Sequence, residues 1–155
     1  MPEPIRAVID STVLVSAFLT EGGVSAELLR YAREGVFLVF LSEEILAETE
    51  HTLSYSRLRA RYTYTDEEVT DFLDRLRLAV ELITDLPQLT GIVRDPNDDM
   101  IIATAQRAQA AYIVTRDKDL LSLEMYEEIT ILTPETFIAI LREYLRNSNK
   151  ASPRS

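Results

Sequence analysis

A lone carboxylate, Asp10, interrupts the apolar run VIDSTVLVSAF, and Asp99 in RDPNDDMIIATA and Asp117 in IVTRDKDLL stand at similar junctions between strand-like and helix-like text. Glu48, in SEEILAETEHTL, is a fourth acid near such a junction. Carboxylates gathered in one place are hard oxygen donors of the kind that bind Mg²⁺ or Mn²⁺ together with waters and substrate phosphates. Two such ions about 3.5–4 Å apart activate a water and stabilise the leaving oxygen of an in-line phosphoryl displacement. An acid-only site is therefore chemically sufficient without a Ser/His/Asp set.

Composition narrows the alternatives. The chain has 155 residues, 46% of them apolar, enough for one domain with its own core. It has no cysteine, which excludes disulfides and thiolate metal sites and leaves oxygen ligands or the single histidine, His51. The start MPEPIRAVID lacks a basic segment followed by a long apolar stretch, and VFLVFL is too short to span a bilayer, so a cytoplasmic protein with no membrane contact is expected. A net charge of −10 opposes nucleic-acid binding by surface field, but divalent cations in an acidic cluster invert the local sign.

The acids need elements to position them. IRAVI (Ile5–Ile9) and VFLVFL (Val36–Leu41) read as buried strands. Between them SAELLRYAREG reads as a helix, with Ser25 as its N-cap and Gly35 in the left-handed position after its last turn. Ser42 caps the next helix, which runs to Leu53 with Ile45, Leu46, Thr49 and Leu53 inward and Glu48 at the border of that stripe. TDEE (Thr65–Glu68) is a capping box before the helix that leads to a strand at Val80–Ile83. A helix with Ile101, Ile102 and Ala105 inward, the strand YIVT, a short helix DKDLLSL and the strand ITIL follow. TPETFIAILREYLR, capped by Thr133 with Pro134 in its first turn, closes a domain over residues 1–147, and 148–155 are expected to form a polar, disordered tail. This alternation predicts an α/β fold with a mostly parallel sheet, in which Asp10, Glu48, Asp99 and Asp117 converge at the carboxyl ends of the strands.

The blocks VIDSTVLVSAFL, LSEEILAETEHTL, RDPNDDMIIATAQ and YIVTRDKDLL resemble, in order and spacing, the four acidic blocks of PIN-domain ribonucleases, particularly the toxin-like branch of prokaryotic toxin–antitoxin pairs. The resemblance covers the chain up to its tail. It implies a single PIN-like domain with about five parallel strands flanked by helices, an Mg²⁺- or Mn²⁺-dependent ribonuclease, a homodimer and a cognate antitoxin. It also makes Asp10, Glu48, Asp99 and Asp117 both the metal ligands and the catalytic set. The first block departs from the usual Asp-Thr-Asn: Ser11 keeps a hydroxyl, but Thr12 lacks the amide.

Structural roles compete with each of these. Asp10, Asp99 and Asp117 are also suited to cap helices, although Asp98 or Asn97 can cap the helix that Asp99 opens and leave Asp99 to the site. Glu48 shares an acidic helix with Glu44 and Glu50. Asp95 and Asp119 are auxiliary acids or turn and first-turn charges, and Thr115 either holds a ligand carboxylate through its hydroxyl or simply ends a strand. His51 has no orienting partner in the sequence and is given no chemistry. SYSRLRARYTY interleaves Arg57, Arg59 and Arg61 with tyrosines, as single-stranded RNA binding requires, or forms a solvated helical hairpin with Leu58 packed. Arg94, Arg116 and Lys118 either orient phosphates or balance charge. An endoribonuclease for single-stranded or looped RNA is the expected function. The alternatives are a non-catalytic PIN-fold binding module and an aspartate-dependent phosphatase, which would ordinarily need a second aspartate where Thr12 stands.

Overall fold

A strand buried on both faces needs strand neighbours at each side and helices above and below. β1 (Arg6–Ile9), with Ala7, Val8 and Ile9 fully buried, has both. In the computed structural model, which describes residues 3–87, 91 and 96–151, Val8 pairs with Phe40 of β2 (Leu38–Ser42) and Ile113 of β4 (Tyr112–Val114), parallel in each case. β3 (Glu81–Ile83) extends the sheet beyond β2, and β6 (Ile129–Leu132) extends it beyond β4. These five parallel strands match the expected sheet. A sixth, the two-residue β5 (Met125–Tyr126), adds an antiparallel edge to β6 through a hairpin in which Glu127 has φ 53°. The order is β3-β2-β1-β4-β6-β5.

The chain leaves β1 for β2 on one side and later returns to β4 on the other. The connections beyond the carboxyl ends of β1 and β4 therefore diverge and open a crevice there.

After β1 come α1 (Ser11–Leu19) and α2 (Val24–Arg33), set at a 102° bend. Here the expected cap is corrected. Gly22 takes φ 75° in the turn, Gly23 is the N-cap of α2, and Ser25 lies buried inside the first turn. The adjacent glycines set the turn, so the helix starts before the serine. Gly35 occupies the left-handed region with φ 77°, and Val36 N donates to Tyr31 O at 3.0 Å, closing α2 as expected.

α3 (Glu43–Leu53) follows β2, with Ile45 N donating to Ser42 Oγ at 3.2 Å and Ile45, Leu46, Thr49 and Leu53 buried. α4 (Ser56–Arg61) is short, and α5 (Asp66–Ala79) carries the complete Thr65/Glu68 capping box. α6 (Pro96–Ala108) and α7 (Lys118–Leu121) flank β4 in sequence. α8 (Pro134–Ala151) begins at the expected cap, where Thr136 N donates to Thr133 Oγ1 at 3.2 Å. It continues past position 147, so the segment expected to be a disordered tail is helical to Ala151, and 152–155 lie outside the described residues.

The two faces of the sheet are covered by these helices. Phe137 of α8 meets Phe37 and Tyr112 with ring centroids 5.1 and 5.4 Å apart. Val13 and Leu14 of α1, Ile45 of α3, and Ile102 and Ala105 of α6 are each fully buried. No single helix among the described residues is long and apolar enough to cross a membrane.

Candidate active site

Asp10 occupies the N-cap position of α1 without acting as a cap. Its backbone is extended and its carbonyl accepts from Val13 N and Leu14 N, but its side chain makes no capping bond. That removes the principal structural explanation for the residue. The carboxylate is 4% exposed, and its Oδ2 accepts from Thr115 Oγ1 at 2.6 Å and Thr12 Oγ1 at 2.9 Å. Ser11 Oγ lies 3.5 Å from Oδ1, a marginal contact. Burial pushes the Asp10 carboxyl above the ordinary range, while the hydroxyl bonds from Thr115 and Thr12 pull the other way.

A cavity of about 80 Å³ opens at the β1/β4 crevice, and its lining includes Asp10, Ser11, Thr12, Glu48, Asp98 and Asp117. Each acid is delivered by a different element. Asp10 follows β1, and Glu48, half-buried, projects from the second turn of α3 at the border of its inward stripe. Asp98 comes from the first turn of α6, and Asp117 from the turn after β4. α3 and α6 are tied together near the site, since Thr104 Oγ1, which donates to Met100 O at 2.9 Å, lies within hydrogen-bond distance of Ser42 Oγ at 3.2 Å.

Asp117 also serves the backbone. Its Oδ1 accepts from Asp119 N at 2.8 Å and Leu120 N at 3.4 Å, capping α7. A carboxylate has two oxygens and about four lone-pair sites, so capping leaves it capacity for a cation. Asp98, Asp117 and Asp119 each present an oxygen within 4.8 Å of the others, an arrangement able to hold a metal ion. Asp119, at the rim, is exposed.

The structure places the two buried aspartates of α6 differently about the cavity. Asp98 lines the cavity, while Asp99, 4% exposed, is buried beside it and outside the lining. The helical repeat holds the signal. Asp98 precedes Ile101, Ile102 and Ala105, all buried, by three, four and seven residues, which places it at the head of the inward stripe. Thr12 lacks the amide of the usual first block, and its hydroxyl donates to Asp10 Oδ2 at 2.9 Å. Thr115 Oγ1 donates to Asp10 Oδ2 at 2.6 Å, the contact that the first of its two sequence readings requires. Asp95 and Arg94 lie outside the described residues.

The basic residues are arranged differently. Arg116 makes a bidentate pair with Glu135 at 3.1 and 2.7 Å, which commits its guanidinium to α8. Arg57, Arg59 and Arg61 sit on α4, outside the acidic cavity. Arg59 pairs with Asp66 and lies 5.0 Å from the Tyr64 ring centroid. Tyr64 itself donates to Leu53 O at 2.7 Å and packs edge-on against Phe18. Arg59 and Tyr64 therefore serve the α3–α5 connection, whereas Arg61 lies 5.7 Å from the Tyr62 ring centroid and Arg57 is exposed. His51 is exposed and packs edge-on against Tyr55.

A PIN domain family model matches residues 6–119. The chain belongs to the PIN domain family. It is 27% identical over 149 residues to the uncharacterized protein MJ1680 of Methanocaldococcus jannaschii, covering 91% of this chain and 94% of the relative. Among solved structures, it is similar to PAE2754 from Pyrobaculum aerophilum, with a TM-score of 0.57 and 15% identity over 90% of each chain. It is also similar to a chain of VapBC2 from Rickettsia felis, a complex bound to a DNA fragment from its promoter. That match has a TM-score of 0.55 and 14% identity over 82% of this chain and 97% of the other.

Proposed function

We propose that this PIN-domain protein is a metal-dependent endoribonuclease cutting single-stranded or looped RNA, and that it is the toxin of a toxin–antitoxin pair. The observation that carries the nuclease reading is the delivery of Asp10, Glu48, Asp98 and Asp117, from four separate elements, into one cavity at the β1/β4 crevice. Four acids meeting there repel one another, and a pair of carboxylates about 4 Å apart costs roughly 4 kcal/mol at an effective dielectric near 20. Such an arrangement is stable when cations sit among its members.

The donor set fits Mg²⁺ or Mn²⁺, being all oxygen and partly buried, with Asp98, Asp117 and Asp119 close enough to share an ion. Bound there, the metal supplies charge neutralisation and an activated water for phosphodiester hydrolysis. The protein supplies position. Asp10 is fixed by two hydroxyls, Asp117 by the α7 backbone, Asp98 by its place at the head of α6, and Glu48 by the register of α3. The four-block resemblance and the shared fold support the toxin–antitoxin part of the reading, with a cognate antitoxin and a homodimer as partners in the cytoplasm.

The test is cleavage of a single-stranded RNA by purified, partner-free protein. Cleavage with Mn²⁺ or Mg²⁺ that stops in chelator is expected. Undiminished cleavage in chelator contradicts the metal reading, hydrolysis of a phosphomonoester alone favours the phosphatase, and metal binding without hydrolysis of either favours the binding module.

A further inference from the structure

Two threonines at the crevice are wired in the same way. Thr115 Oγ1 donates to Asp10 Oδ2 at 2.6 Å and accepts from Asp117 N at 3.0 Å. Thr12 Oγ1 donates to the same carboxylate oxygen at 2.9 Å and accepts from Arg116 N at 3.1 Å. A backbone N–H only donates, and a hydroxyl has one proton, so each hydroxyl must accept from the backbone and turn its proton toward Asp10. Oδ2 thus receives two donors whose directions are fixed from outside the carboxylate. Neither threonine bonds to Oδ1, which has the long 3.5 Å contact from Ser11 Oγ, and the Ser11 backbone N–H also bonds to the carboxylate.

Resting on the reading of Asp10 as a metal-binding carboxylate, we infer that Thr12 is a positioning residue. Together with Thr115 it clamps Asp10 Oδ2, presents Oδ1 to the divalent ion, and ties the first turn of α1 to the turn that carries Asp117. The departure from Asp-Thr-Asn in the first block is then a working substitution: a hydroxyl in place of the amide, anchored by Arg116 N. Thr12 is otherwise exposed and packs little, so its loss is felt by the carboxylate rather than by the core.

The experiment compares Thr12→Val, which keeps the shape and removes the hydroxyl, with Thr12→Ser, which keeps the hydroxyl. Thr12→Ala stands in for the valine variant should branching disturb α1. Mn²⁺ affinity is measured by calorimetry, kcat and KM on a single-stranded RNA, and melting in chelator. Losing a group that orients a metal-binding carboxylate typically costs about ten- to a hundredfold, so Mn²⁺ binding weakened roughly tenfold and a lowered kcat are expected in Thr12→Val and Thr12→Ala. Their chelator melting should fall only modestly and stay cooperative, with Mn²⁺ affinity and kcat restored in Thr12→Ser. Wild-type Mn²⁺ affinity in Thr12→Val and Thr12→Ala, or failure of Thr12→Ser to restore it, overturns the positioning role while leaving the nuclease reading intact. A wild-type protein that binds no Mn²⁺ overturns both.

Discussion

Asp10 is a buried acid whose pKa is raised mainly by desolvation, and the sign of its effect on stability follows. A carboxyl with a folded-state pKa above its unfolded value stabilises the fold at low pH. That contribution is lost as pH rises through the folded value, so the ionised residue is a burden on the metal-free protein at neutrality. Asp10→Asn should therefore leave the metal-free protein at least as stable as wild type at neutral pH, with RNA cleavage and Mn²⁺-induced stabilisation gone. Urea unfolding in chelator across the carboxylate-to-neutral range checks this, and a variant markedly weaker than wild type at neutral pH speaks against it. The two roles of Asp117 separate by substitution. Asparagine still caps α7, so Asp117→Asn should abolish cleavage with little change in metal-free stability, whereas Asp117→Ala should also cost about 1 kcal/mol. The cavity lining makes the same kind of distinction on α6. Asp98→Asn should lose the Mn²⁺ response in melting curves and Asp99→Asn should keep it; the reverse pattern would restore the register first read from the sequence.

At the scale of elements, what was legible in the sequence was what local chemistry decides. The Ser42 cap, the Thr65/Glu68 box, the left-handed Gly35 and the inward stripe of α3 each depend on residues within one or two turns, and each is present. The register of α3 also placed Glu48 at the cavity border. What was not legible depends on tertiary neighbours. β5 is two residues long and exists because β6 offers it an edge, and the choice between Asp98 and Asp99 depends on how α6 meets the sheet. The hydroxyl of Thr12 acquires its role from Arg116, 104 positions away. The basic segment was half legible: the arginines were visible, but not the pairing of Arg59 with Asp66. Changing Arg57 and Arg61 together to Gln should reduce the salt slope of RNA binding, by about 0.7 per lost phosphate contact, while Arg59→Gln changes it least. An unchanged slope in the double variant would make α4 an exposed structural connector.

For the whole molecule, a net charge of −10 must be reconciled with a polyanionic substrate. The proposed reconciliation is local, with divalent ions at the β1/β4 crevice creating the positive ground that the surface lacks. RNA binding should accordingly require metal, and a ligand at a hundred times its dissociation constant should add about 2.7 kcal/mol to stability. The central claim is that the acids at the crevice share a divalent ion, and anomalous diffraction from crystals grown with Mn²⁺ tests it most directly. The predicted result is a manganese peak within coordination distance of Asp98 and Asp117, with Asp10 Oδ1 turned toward it. Manganese bound elsewhere, with the carboxylates of Asp10, Asp98 and Asp117 making no contact to it, would contradict the account.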